Sequence, residues 1–193
     1  IANISVKQNG KVIAYDICVA NQVLNYYANQ MKKPFDEHGE IARSGKVHEV
    51  LFEQMQELPF YQKNYPKSLD NSFSRKEIIP MMNQYDISIE DKLRTFTEHI
   101  AFQISDELKR FPMMKADEQM LVTGGGAFNT FLIETLQKEC DMKIIVPNEQ
   151  IVKFKEALVI ALMGVLRLEE RENVLQSVTG ALKDNIGGVV YLP

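Results

Sequence analysis

Histidine and cysteine are scarce in this chain. His38, His48 and His99 are scattered, and Cys18 and Cys140 lie far apart. No pair has the spacing of zinc ligands, which argues against a metal held by protein side chains alone. So few thiols fit a reduced intracellular setting better than a disulfide framework. Basic runs are missing too. With a formal net charge of −4 and no basic stripe, nucleic acid is a poor partner. The longest apolar run, 157–166, is too short to span a bilayer. The start carries no signal-peptide pattern, and a cytoplasmic location is expected. Repeats, low-complexity segments and an internal linker are also lacking.

What is present is an ordinary apolar core. The chain has 193 residues, 45% of them hydrophobic, enough for one sizeable core or two small lobes. It opens on Ile1 rather than methionine, already inside a β-prone segment. That start reads as the C-terminal part of a longer protein.

Two β-rich runs, 1–6 and 11–15, flank Gln8-Asn9-Gly10, a strong hairpin signal. Helices are expected over 19–31 and 46–57, with a short one over 74–84. Ser88 should cap a long helix reaching Arg110, whose apolar stripe is Ile89, Leu93, Phe96, Ile100, Ile104 and Leu108. Residues 120–123 read as a strand, followed by a glycine turn, a helix over 129–139 and a strand over 143–146. The helix 151–167 is apolar almost all round, so it is expected to be central and buried. A final strand is expected over 189–192. The order implies one α/β domain opening on a hairpin.

Three polar features stand out. Leu121-Val122-Thr123-Gly124-Gly125-Gly126-Ala127-Phe128-Asn129 joins a strand to a helix through glycines. Such a turn can take positive φ and bring backbone N–H groups close to a phosphate. It lacks the dinucleotide fingerprint, because Asn129 stands where a third spaced glycine would be. Asp16 ends a strand, where it could serve chemistry or simply cap the next helix. Glu156 sits in the apolar helix, where a carboxylate is costly unless paired or functional. It could equally lie on a solvated stripe with Lys153 and Lys155.

In order along the chain, several segments resemble the C-terminal half of the anhydro-N-acetylmuramic acid kinase family. Ile1-Ala2-Asn3-Ile4-Ser5, then Tyr15-Asp16 and Asn21, resemble its Ile-Ala-Asn-(Ile/Leu)-Ser and Phe-Asp-Thr-Gly-Pro-Gly-Asn segments. Pro66-Lys67-Ser68 resembles its Pro-Lys-Ser-Thr-Gly loop. Gly124-Gly125-Gly126-Ala127-Phe128-Asn129, Lys155-Glu156-Ala157 and Ser177-Val178-Thr179-Gly180-Ala181 resemble three further signatures. One departure is clear. The family's Thr-Gly-Pro-Gly is Ile17-Cys18-Val19-Ala20 here.

The resemblance implies one lobe of an actin/hexokinase/heat-shock-ATPase-like fold, a ribonuclease-H-like mixed sheet with flanking helices. The lobe would occupy 1–193, with the N-terminal lobe outside this chain. It implies ATP and Mg2+, the metal arriving on the nucleotide, and an amino-sugar substrate. The implied reaction opens a 1,6-anhydro ring with water and phosphorylates O6. Asp16 is then the candidate base. Ala2 and Asn3 belong to a phosphate hairpin, and Gly124, Gly125, Gly126 and Asn129 line the nucleotide. Asn21 and Glu156 are candidate substrate contacts. The family tends to dimerise, so a homodimer is one expectation. A degenerate binding homologue, or another enzyme of the same superfold, stays open beside the kinase reading. Cys18 has no histidine near it in sequence and reads as a packed residue rather than a nucleophile.

Overall fold

A computed structural model describes residues 1–111 and 118–191. Strands β1 (Ala2–Gln8) and β2 (Lys11–Cys18) form the expected antiparallel hairpin. Asn9 and Gly10 turn it with φ of 51° and 77°, the left-handed pair that an Asn-Gly turn supplies. Helix α1 follows at Asn21–Gln30 and packs Val23, Leu24 and Tyr27 inward. A short helix α2 (Glu40–Ser44) comes next, within a stretch that the sequence pattern leaves unassigned. Asp36 makes it. Both its carboxylate oxygens accept N–H groups at the helix start, from Ile41 at 2.8 Å and Ala42 at 2.9 Å.

Helix α3 spans Glu49–Gln56, capped by His48, whose Nδ1 accepts the Leu51 N–H at 3.2 Å. The expected short helix is a π-turn over Ser74–Ile78 running into α4 (Ile79–Asn83). Ser88 caps α5 (Ile89–Lys109) as its sequence promises, accepting the Asp91 N–H at 3.1 Å.

Helix α5 is the centre of the molecule. Leu93, Phe96 and Ile100 are fully buried, and so are Thr95, Thr97 and His99. Most of these polar groups are buried with a hydrogen-bond partner. Thr95 and Thr97 donate back to Asp91 and Leu93 carbonyls, and Ser105 donates to the Glu139 carbonyl. Helices α1, α2 and α3 pack on α5, as does α6 (Thr130–Glu139).

Strands β3 (Gln119–Leu121) and β4 (Lys143–Ile145) pair in parallel. Antiparallel and parallel pairing therefore both occur, as in a mixed sheet. Among the described residues they stand as two separate two-stranded pieces.

Helix α7 (Glu149–Leu168) overturns one expectation. It is not central. Val152 is its buried residue, while Phe154, Leu158, Leu162 and Leu168 are exposed. An all-round apolar helix predicts burial only if partners lie within the chain, and here the described residues supply none for most of its surface. The tail holds a short helix α8 (Gln176–Thr179) and a bridge between Val174 and Asn185. The expected last strand does not form. Residues 189–191 are irregular and exposed, and Leu192 lies outside the described residues. No helix among the described residues is long and apolar enough to cross a membrane.

Candidate active site

Asp16 sits on β2 directly opposite Asn3 of β1. Ala2 faces Cys18, so Ile17 has no partner and the hairpin bulges beside Asp16. A bulge bends a strand and re-aims its side chains, and it is common near sites. Asp16 does not cap α1, whose first turn has no side-chain cap. Its Oδ2 instead accepts two hydrogen bonds from a distant loop, from the Ser68 hydroxyl at 3.0 Å and the Leu69 N–H at 2.8 Å. The Asp16 N–H donates to the Lys67 carbonyl at 3.3 Å. Among the described residues no donor reaches Oδ1. One carboxylate oxygen is thus fixed while the other is free to accept.

A cleft of about 460 Å³ opens here, lined by Asn3, Ser5, Asp16, Lys67, Ser68 and Thr179. Three segments that are far apart in sequence meet in it: the hairpin, the 66–68 loop and the 177–181 segment.

A second cleft of about 590 Å³ lies at the glycine turn. Gly124 has φ 80° and ψ 179°, a conformation essentially reserved for glycine. A single 3-10 turn (Gly125–Phe128) follows, and Asn129 then caps α6, its Oδ1 accepting the Leu132 N–H at 3.0 Å. Asn21 lies against this turn. A Cβ at Gly125 would stand 3.2 Å from the Asn21 amide nitrogen. Gly39, with φ 75°, is required for the same packing, because a Cβ there would come within 2.3 Å of Asn129 Oδ1. Asp36, His38, Phe128 and Lys153 complete the wall.

The sequence-predicted residues therefore divide between two places. Ala2, Asn3 and Asp16 gather on the hairpin. Gly124, Gly125, Gly126 and Asn129 gather at the turn, and Asn21 joins them rather than Asp16. Glu156 belongs to neither wall. It is exposed on α7, and the argument from a buried carboxylate fails because the helix itself is exposed. The first turns of α7 contribute instead, through Glu149 and its ion-pair partner Lys153. Sequence reasoning missed Asp36 and His38, which no helix or strand periodicity marks. It also missed the pairing of Lys67 with Glu107, forty residues apart.

Burial pushes the Cys18 thiol up to about 12, so it is no nucleophile at neutral pH. Among the described residues no group of three or more His, Cys, Asp or Glu side chains is placed to hold a metal ion.

The whole chain, residues 1–193, matches the family model for anhydro-N-acetylmuramic acid kinase. Curated relatives bearing that name agree. The one from Saccharophagus degradans is 30% identical over all of this chain and 53% of its own length. That of Sulfurovum sp. is 32% identical over the same shares, and that of Vibrio cholerae is 29% identical over all of this chain and 54% of its own. The chain spans about half the length of the curated relatives it matches, corresponding to their C-terminal half. The fold is mixed α/β, consistent with the actin/hexokinase/ATPase-like superfold of these kinases. With hairpin, loop and glycine turn all assembled in the family's order, the chain belongs to the anhydro-N-acetylmuramic acid kinase family.

Proposed function

We propose that this chain is the C-terminal lobe of a cytoplasmic, ATP-dependent anhydro-N-acetylmuramic acid kinase. The reaction opens the 1,6-anhydro ring with water and phosphorylates the freed O6, giving N-acetylmuramic acid 6-phosphate for cell-wall recycling. The observation that carries this reading is Asp16. Its carboxylate is held through Oδ2 by Ser68 and Leu69, and the residue lines a cleft large enough for part of a sugar.

In this reading Asp16 takes the proton from the attacking water at the anomeric carbon. O6, released as the ring opens, is then the acceptor for the γ-phosphoryl group. Transfer of that group rests on positioning and charge neutralisation more than on covalent chemistry. Asn3, cross-strand from Asp16, carries the phosphate-side role of the hairpin, and Ala2 beside it adds only a methyl group. The second cleft suits the nucleoside. Its glycine turn leaves backbone N–H groups uncovered, and half-exposed Phe128 offers an aromatic face. Mg2+ would arrive on the ATP phosphates and neutralise their charge.

The other lobe completes the site and covers the apolar face of α7. The 193-residue chain alone is therefore expected not to turn over ATP.

A second reading is a homologue that binds sugar or nucleotide without turnover. It is favoured by the segment 17–20, which is buried and apolar where the family has glycines and a proline. One experiment separates the two. The chain is joined to the N-terminal half and incubated with ATP, magnesium and the anhydro sugar, and the product is weighed by mass spectrometry. Gain of both water and phosphate, lost in Asp16→Asn, supports the kinase. Binding by calorimetry without product supports the binder.

A further inference from the structure

A lysine in a loop beside a kinase cleft invites a phosphate-binding role. Lys67 does not offer one. Its side chain is 2% exposed, and its ammonium is taken up by an ion pair with Glu107 of α5, itself 3% exposed. The ammonium also lies 5.1 Å from the centre of the Phe60 ring and 5.8 Å from that of Tyr15.

Glu107 is a buried carboxylate that is fully occupied. Besides Lys67, it accepts the Tyr15 hydroxyl at 2.8 Å and pairs with Arg110 Nε at 3.4 Å. A carboxylate at this depth is tolerated only with such partners. Tyr15 stays a phenol, its ionisation opposed by burial and by the Glu107 charge. Arg110 reaches further, donating to the carbonyls of Tyr61 at 3.3 Å and Lys63 at 3.2 Å and to Asn64 Oδ1 at 3.1 Å.

These contacts end at Asp16. The residue that Glu107 pins, Lys67, lends its carbonyl to the Asp16 N–H. The next two, Ser68 and Leu69, hold Asp16 Oδ2. Tyr15, also bound to Glu107, is the neighbour of Asp16 on β2. The loop itself, between α3 and the π-turn, contains no glycine and no strand pairing. Besides the burial of Leu58, Phe60, Tyr61 and Leu69, these tethers hold it.

We propose that Glu107 is a positioning residue: through Lys67 and Tyr15 it fixes the 67–69 loop against β2 and so aims the Asp16 carboxylate. The proposal takes Asp16 as the working carboxylate, in line with the proposed function, but the geometry it concerns is measurable without turnover.

The test uses NMR on the 193-residue chain. The Leu69 amide exchange rate and the chemical shift of the 13C-labelled Asp16 carboxyl at one fixed pH are followed in the parent, in Glu107→Gln and in Lys67→Met/Glu107→Gln. The double variant removes both buried charges together, so it keeps the core neutral if the single change prevents folding. The expected result is at least about tenfold faster exchange at Leu69 and a moved Asp16 carboxyl resonance. Protection in α1 and α6 should stay as in the parent. Parent-like Leu69 exchange and a parent-like Asp16 carboxyl resonance in either folded variant would overturn the proposal. If Asp16 moves as expected while the completed two-lobe protein forms no phosphorylated sugar, the positioning stands and the kinase reading falls.

Discussion

At the residue scale, two positions make sharp claims. Gly124 holds φ 80° and ψ 179°, and open space surrounds it, so a methyl group would meet no neighbour. The cost of Gly124→Ala is therefore backbone conformation alone, about 1–3 kcal/mol. Urea unfolding should read it as a lower midpoint with an unchanged slope. His99 makes the second claim. It is fully buried, one ring nitrogen faces Gln56 at 3.1 Å, and Nε2 has no partner among the described residues. Burial lowers its pKa to about 3, against an ordinary value of 6.5. Between those values the unfolded chain binds a proton that the folded chain refuses. Stability from this group is complete above about pH 6.5 and is lost as pH falls toward 3, by up to about 1.4 kcal/mol per pH unit. Unfolding free energies from pH 7 to pH 4.5 should fall less steeply in His99→Leu than in the parent. Equal slopes would mean that the folded protein protonates this imidazole as readily as the unfolded chain does.

At the element scale, caps and partners decide what forms. Asn129 ends the glycine turn and starts α6 with one hydrogen bond, so Asn129→Ala should cost about 1 kcal/mol, with the loss seen in thermal unfolding. The same change should loosen the Gly39 contact on the wall of the second cleft. Much at this scale was legible in the sequence. Asn9-Gly10 announces the hairpin and Ser88 announces α5, because both signals act within a few residues. The Asp16 contact with the 66–68 loop was not legible, since no local rule links positions 52 residues apart. Helix α2 was not legible, because its cap, Asp36, sits five residues ahead of the first N–H it binds. The ranking of α5 and α7 came out inverted for one reason. Periodicity records how apolar a helix is, while burial depends on what packs against it. The buried polar residues of α5 find partners, within the helix for Thr95 and Thr97 and on other elements for Ser105 and Glu107, and go inside. The apolar residues of α7 find few partners among the described residues and stay out.

At the scale of the whole molecule, α7 is the feature that the rest does not explain. Leu158 and Leu168 are 71% and 72% exposed, and Phe154 and Leu162 are also largely open. Fully covering each such side chain is worth about 1.5–3 kcal/mol, so a surface of this kind marks an interface. The curated relatives are about twice as long as this chain, and their other half is the occupant assigned above. The isolated chain should then bind an apolar fluorescent dye and sediment as self-associated species at micromolar concentration. Leu158→Lys with Leu162→Glu should abolish both behaviours and leave the melting temperature nearly unchanged, because neither side chain belongs to the core. Adding the N-terminal half should do the same to the parent chain and do nothing to the double variant. If the completed protein binds as much dye as the isolated chain, α7 does not pack against the other lobe. A dimer of completed proteins that the double variant dissociates would give the face to a second copy instead.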